Sequence, residues 1–306
     1  MPPRVSRFVS LALVFASLAV TGRAGAQACC AGSSAITPGR LGLHEDALVG
    51  LQLRASSLLG SYDQGGRYQP SASGTSEQSF EQQLVASLRV LQRAQLAVVV
   101  PFMETRRSVI GRSELGGGLG DVNVGLRYDL LDARRSAVVP GVALLAGITL
   151  PTGVPVESAH NPLATDATGV GALQVNAGIA LEQIYGAWTA SIAGLVAKRL
   201  ARDVRGLEET LGAQWTLIAA GAYAFDSEIA LAASVAYSLE GDASIDGIEQ
   251  PRTGRRLMTL TASTVVPLSD AIRLQGAVFL SPPGSSLGAN QSALAGVSLM
   301  AVYAWL

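Results

Sequence analysis

Asp121-Val122-Asn123-Val124-Gly125-Leu126-Arg127-Tyr128-Asp129-Leu130 sorts into two sets by odd and even number. Val122, Val124, Leu126, Tyr128 and Leu130 are apolar, whereas Asp121, Asn123, Gly125, Arg127 and Asp129 are polar or small. A period of two belongs to a β-strand whose faces meet different surroundings; a helical period of about 3.6 would mix the sets. Outward along the chain the same separation recurs. Leu51, Leu53 and Ala55 oppose Gln52, Arg54 and Ser56. Leu173, Val175, Ala177, Ile179 and Leu181 oppose Gln174, Asn176, Gly178, Ala180 and Glu182. Ile229, Leu231, Ala233, Val235, Tyr237 and Leu239 oppose Ala230, Ala232, Ser234, Ala236 and Ser238.

Twelve strands are predicted on this pattern, over 47–61, 79–91, 95–106, 118–131, 136–150, 169–183, 187–199, 207–225, 228–240, 255–267, 271–281 and 292–306. Their connections alternate. Short ones fall at 92–94, 132–135, 184–186, 226–227 and 268–270, and longer ones at 62–78, 107–117, 151–168, 200–206, 241–254 and 282–291. Short periplasmic turns and long outer loops are the habit of transmembrane β-barrels, and an even strand count leaves both termini in the periplasm. Aromatic residues agree: Tyr128, Tyr185, Trp188, Tyr223, Phe225, Tyr303 and Trp305 lie near the predicted periplasmic ends, and Phe80, Phe102, Tyr237 and Phe279 toward the outer ends. Girdles at both interfaces take that form. The last strand carries Val297, Leu299, Ala301, Tyr303 and Trp305 on one face, the aromatic-rich ending that barrel-assembly machinery reads, although the chain closes on Leu306 rather than Phe.

Composition points the same way. Charged residues make up 15%, against about 25% in soluble domains. The net charge of −1 gives no reason to expect a nucleic-acid partner. Arg4 and Arg7, the apolar run Phe8 to Val20, and the small-residue sites Ala24-Gly25-Ala26 and Ala26-Gln27-Ala28 read as a secretory signal. After it, no apolar run reaches the length of about 18 residues that a membrane helix needs. The expected organisation is a signal peptide over 1–28, a periplasmic segment over 29–46 and one all-β, antiparallel up-and-down barrel over 47–306.

Gly118-Leu119-Gly120-Asp121-Val122-Asn123-Val124-Gly125-Leu126-Arg127-Tyr128 resembles the Gly-x-Gly-Asp strand of the outer-membrane proteins grouped under the MetA pathway of phenol degradation. Gly147-Ile148-Thr149-Leu150-Pro151-Thr152-Gly153 resembles the strand end that follows it there. The likeness covers about 40 residues. It implies a transport-type barrel of the outer membrane, one for small solutes, with hydrophobic or aromatic compounds as the first class to consider.

Side-chain parity places Arg54, Arg89, Asp121, Arg127, Asp129 and Arg273 toward the lumen. They come from strands one, two, four and eleven, which form one arc once the barrel closes. Such an arc could supply the transverse field of a selective pore or consist of ion pairs that neutralise one another. An enzyme is not expected: His44 and His160, the only histidines, both lie off the strands, without a serine and an orienting residue beside them. Cys29, Cys30 and His44 are weak candidates for a metal, because no Cys-x-x-Cys or His-x-x-x-His spacing accompanies them. The adjacent thiols are poorly placed to pair with each other. Acylation of Cys29 would break the usual pattern, since Ala26 stands where a Leu is normally found. No cofactor is expected. The expected partners are outer-membrane lipid, lipopolysaccharide near the loop arginines, small solutes and the assembly machinery. A non-conducting structural or receptor barrel is the alternative to a channel.

Overall fold

The computed structural model describes residues 39–42, 44–133 and 138–306. The expected signal peptide, Cys29 and Cys30 lie outside them. Twelve strands make the wall: β1 (Ala47–Tyr62), β2 (Ser76–Leu91), β3 (Ala94–Val109), β4 (Val122–Leu131), β5 (Gly141–Leu150), β6 (Gln174–Tyr185), β7 (Trp188–Arg199), β8 (Gln214–Ala224), β9 (Ala230–Glu240), β10 (Arg255–Pro267), β11 (Ile272–Leu280) and β12 (Gln291–Trp305). Each pairs antiparallel with the next, and β12 returns to β1 over Ala47↔Trp305 through Tyr62↔Gln291. Closure has a simple cause. In lipid no water can satisfy an open sheet edge, so every strand must find two neighbours.

The parity of the sequence becomes the inside and outside of the wall. Leu51, Leu84, Ile179, Trp215 and Val297 are exposed on the outer surface, while Ala143, Ala180 and Ala193 are buried on the inner one. At the periplasmic end, Trp188, Tyr223 and Phe225 stack in series with ring centroids 4.8 and 4.9 Å apart, and Tyr303 meets Trp305 at 4.8 Å. Phe279 breaks the expected girdle. It shares the inward face of β11 with Arg273 and Gln275, and its ring is buried beneath Arg54. Trp215 is exposed on the outer surface of β8.

Five boundaries differ from the sequence reading by more than three residues, each for a local reason. The fourth strand begins at Val122 rather than 118, because Gly118 and Leu119 belong to the ribbon Arg112–Leu119. The stretch 107–117 is not an open loop: β3 continues into a hairpin with Arg112–Leu119, turning at Ile110-Gly111, where Gly111 has φ +79°. The fifth strand begins at Gly141 rather than 136, directly after Pro140, which has no N–H to give to a ladder. The sixth begins at Gln174, because the Val170 N–H is taken by Asp121 and Gly171 turns at φ +73°. The eighth begins at Gln214, since Leu207–Thr210 leaves the wall and joins Arg202–Val204, Ala243–Ile245 and Ile248–Gln250 in a separate four-stranded sheet of the outer loops.

Candidate functional site: the lumen and its two ends

At the periplasmic end the described residues before β1, 39–42 and 44–46, fold into the lumen. Leu41 is only 6% exposed and packs with inward-facing Leu48, Val85, Met300, Val302 and Ala304. Its N–H donates to Gln95 Oε1 at 3.1 Å. Glu45 is also buried; its carboxylate accepts the Gly42 N–H at 2.7 Å and pairs with Arg273, one guanidinium contact being 3.2 Å. Arg89 donates to the carbonyls of Gly42 (2.5 Å) and Glu45 (2.8 Å). Arg40 reaches Glu182 at 2.6 Å, and Glu182 also meets Arg127 at 3.2 Å. Arg127, 3% exposed, closes the chain on Asp129 at 2.9 Å.

Four of the six lumen residues expected from parity therefore sit in one clamp on the N-terminal segment. Its buried charges come in matched pairs, because an unpaired charge there would cost several kcal/mol. Arg40, Glu45 and Glu182 complete the clamp and were not among the expected residues. Glu182 lies in the polar set of β6, so parity alone could have found it. Arg40 and Glu45 precede the first strand, where no period exists to place them.

Above this clamp the lumen lining is mostly uncharged, Arg127 and Arg54 being the charged residues that border its cavities. One cavity of about 310 Å³ is bordered by Gln95, Asn123, Gln174, Asn176 and Gln214, with Leu145, Leu195 and Ile218 giving it apolar patches. A second, of about 330 Å³, is bordered by Gln52, Gln83, Gln275, Thr259, Thr261 and Ser263, with Gly39 of the N-terminal segment at its side. Arg54 is the partly exposed charge here. It stands 4.1 Å above the Phe279 ring and 3.6 Å from Glu81, too far for a tight ion pair. Toward the outer end Arg199 meets Glu240 at 2.7 Å, supported by Gln174 and Gln214 at 3.0 Å each. This buried pair stands at the ends of β7 and β9, where alternation gives way to loop.

At the outer end the 151–173 loop folds onto the inward face of the wall. Gly116 and Gly118 face inward, in register with Thr105 and Met103, and present no side chains. A Cβ on Gly116 would meet Thr165, Asn161 and the Asp166 N–H, so the loop lies directly on this glycine face. Thr165 is wholly buried. The Glu114 carboxylate accepts the Leu163 N–H at 2.8 Å, and Arg107 donates to the Leu163 carbonyl. Asp121 accepts from Gly153 (2.9 Å) and Val170 (2.7 Å), so it fastens this loop at its two ends. On the other flank, Arg202 holds Glu157 and Glu209. Within the loop Asp166 accepts the His160 and Asn161 N–H groups at 2.7 and 3.1 Å, and these bonds, that of His160 first, hold its carboxyl below the ordinary value of 3.8. His160 stays exposed, with Asp166 at 3.5 Å. Among the described residues, no three His, Cys, Asp or Glu side chains gather as a metal site around His44 or elsewhere.

A closed ring of twelve strands with an apolar outer belt and an inward polar face defines an outer-membrane β-barrel. Solved structures agree on the fold. The chain is similar to the COG4313 outer membrane channel from Pseudomonas putida F1, with a TM-score of 0.71 and 14% identity over 88% of this chain and 98% of that one. It is more distantly similar to the translocator domain of the autotransporter NalP from Neisseria meningitidis, with a TM-score of 0.50 and 12% identity over 90% and 92% of the two chains. No family model matches the chain, and no curated protein matches it in sequence. The phenol-degradation resemblance therefore rests on the two quoted stretches alone.

Proposed function

We propose that the protein is an outer-membrane channel for small organic solutes that are uncharged or weakly charged, gated at its periplasmic end by residues 39–46. The observation that carries this reading is the division of the lumen. The buried charges are spent on one another and on the N-terminal segment, while the cavities between the two ends offer mainly amides, hydroxyls and apolar patches, with Arg54 as their one loosely paired charge. Such a lining suits a solute with a few hydrogen-bonding groups on an apolar body, aromatic compounds included. It provides little of the transverse field that ion selection requires. The likeness to the Pseudomonas putida outer membrane channel supports the reading by analogy of fold.

A non-conducting barrel is the second reading, favoured by the segments that fold inward at both ends. Liposome swelling separates them. Proteoliposomes should admit arabinose clearly faster than similarly sized gluconate, and swelling no faster than in empty liposomes would leave the structural reading. We also propose that the aromatic face of β12 is what the assembly machinery recognises. The outer-loop arginines, Arg106 and Arg255 among them, would face lipopolysaccharide.

A further inference from the structure

The outer face of β6 to β9 carries a groove of about 670 Å³. Ala177 and Gly194 form its floor; Ile179, Trp215, Leu217 and Tyr237 form its sides. Cross-strand register puts these residues in two rows: Ala177, Val196 and Trp215 in one, and Ile179, Gly194, Leu217 and Tyr237 in the next. Gly194 sits in the middle of a strand, where glycine costs stability, and a Cβ there would touch nothing within 4 Å. The protein's own packing does not require this glycine. Its absence of a side chain serves the space outside the wall.

Directly above the two rows, on the same face of β7, stands Lys198, opposite Val175. It is the only lysine in the sequence, where every other basic residue of the charge count is arginine. It is exposed and takes part in none of the ion pairs among the described residues. Trp188, in the periplasmic girdle, lies ten residues earlier on the same outward face. At about 3.3 Å per residue and a tilt of about 40°, that separation spans roughly 25 Å, the height of the apolar band. Lys198 is thus level with the outer headgroups while the groove below it lies among acyl chains.

We propose that this groove binds a phosphate-bearing lipid of the outer leaflet, an acyl chain lying over Gly194 beside Trp215 and the phosphate meeting the Lys198 ammonium. Charge complementarity selects this occupant over a second barrel, whose matching face would bring Lys198 toward Lys198. The proposal rests on the membrane fold and not on conduction through the lumen.

The full chain in detergent micelles, with Trp188→Phe and Trp305→Phe so that Trp215 reports alone, tests it by quenching with brominated-acyl lipids. Phosphatidic acid should half-quench Trp215 at about five-fold lower mole fraction than diacylglycerol with the same chains, the effect of one interfacial cation. Lys198→Gln should remove that difference, and Lys198→Arg should keep it. Gly194→Leu should weaken quenching by both lipids. Heat-dependent gel mobility shows that each variant is folded. Equal half-quenching by the two lipids in the parent, an unchanged preference in Lys198→Gln, or a dimer in sedimentation that shields Trp215 from both lipids would each overturn the proposal.

Discussion

Arg127 shows how one residue can serve the wall and the gate together. Its guanidinium joins Asp129 to Glu182, and Glu182 in turn holds Arg40. Replacing it with Gln takes the cation from Asp129 and leaves Glu182 with Arg40 alone. Arg127→Gln should therefore lose about 3 kcal/mol in urea-induced unfolding from lipid vesicles, within the range for breaking a buried pair. Arg54 should behave differently, because it is partly exposed and only loosely paired. Arg54→Glu should fold normally and shift the reversal potential of a bilayer under a salt gradient toward cation preference. An unchanged reversal potential would place Arg54 off the conduction path. Asp166 makes a prediction about pH. Hydrogen bonds depress its folded-state pKa below 3.8, so the stability it lends the outer loop is full above that value and is lost as pH falls through the lower, folded one. Resistance of the 151–173 loop to pepsin should weaken as pH falls below 3.8 and not above it.

At the level of elements, the outer cover depends on the glycine face of the Arg112–Leu119 ribbon. Gly116→Val would push against Thr165 and Asn161. Limited proteolysis at neutral pH should then cut within 151–173, while heat-dependent gel mobility stays that of a folded barrel. An uncut loop would mean that it does not lie on Gly116. The strands themselves were legible because each divides two environments: the alternation of Val122 to Leu130 survives in the structure as outward and inward faces. What escaped the reading had no period to follow. The 107–117 ribbon pairs only locally and the Leu207–Thr210 strand only with outer-loop strands, so neither has lipid to face. Phe279 misled for a different reason. An aromatic near a strand end suggests a girdle, yet its parity with Arg273 and Gln275 already placed it inside. The clamp was half legible: parity exposed Arg89, Arg127, Asp129 and Arg273, but their partners Arg40 and Glu45 come from a segment without alternation.

For the whole molecule, the wall, the N-terminal segment and the outer loop divide the work. The wall satisfies every backbone group in lipid by closing on itself. The two covers then decide whether the enclosed cavities connect. The N-terminal segment is the cover tied down by charge, through Glu45 to Arg273 and through Arg40 to Glu182, and these ties can be cut without touching the ladder. The most direct test is single-channel recording in planar bilayers of the intact protein and of a chain lacking residues 39–46, each confirmed as folded. Brief, small openings are expected in the intact protein and a several-fold higher time-averaged conductance after the deletion, with little preference between potassium and chloride. Silence from both chains would contradict a channel gated by this segment, and so would identical traces.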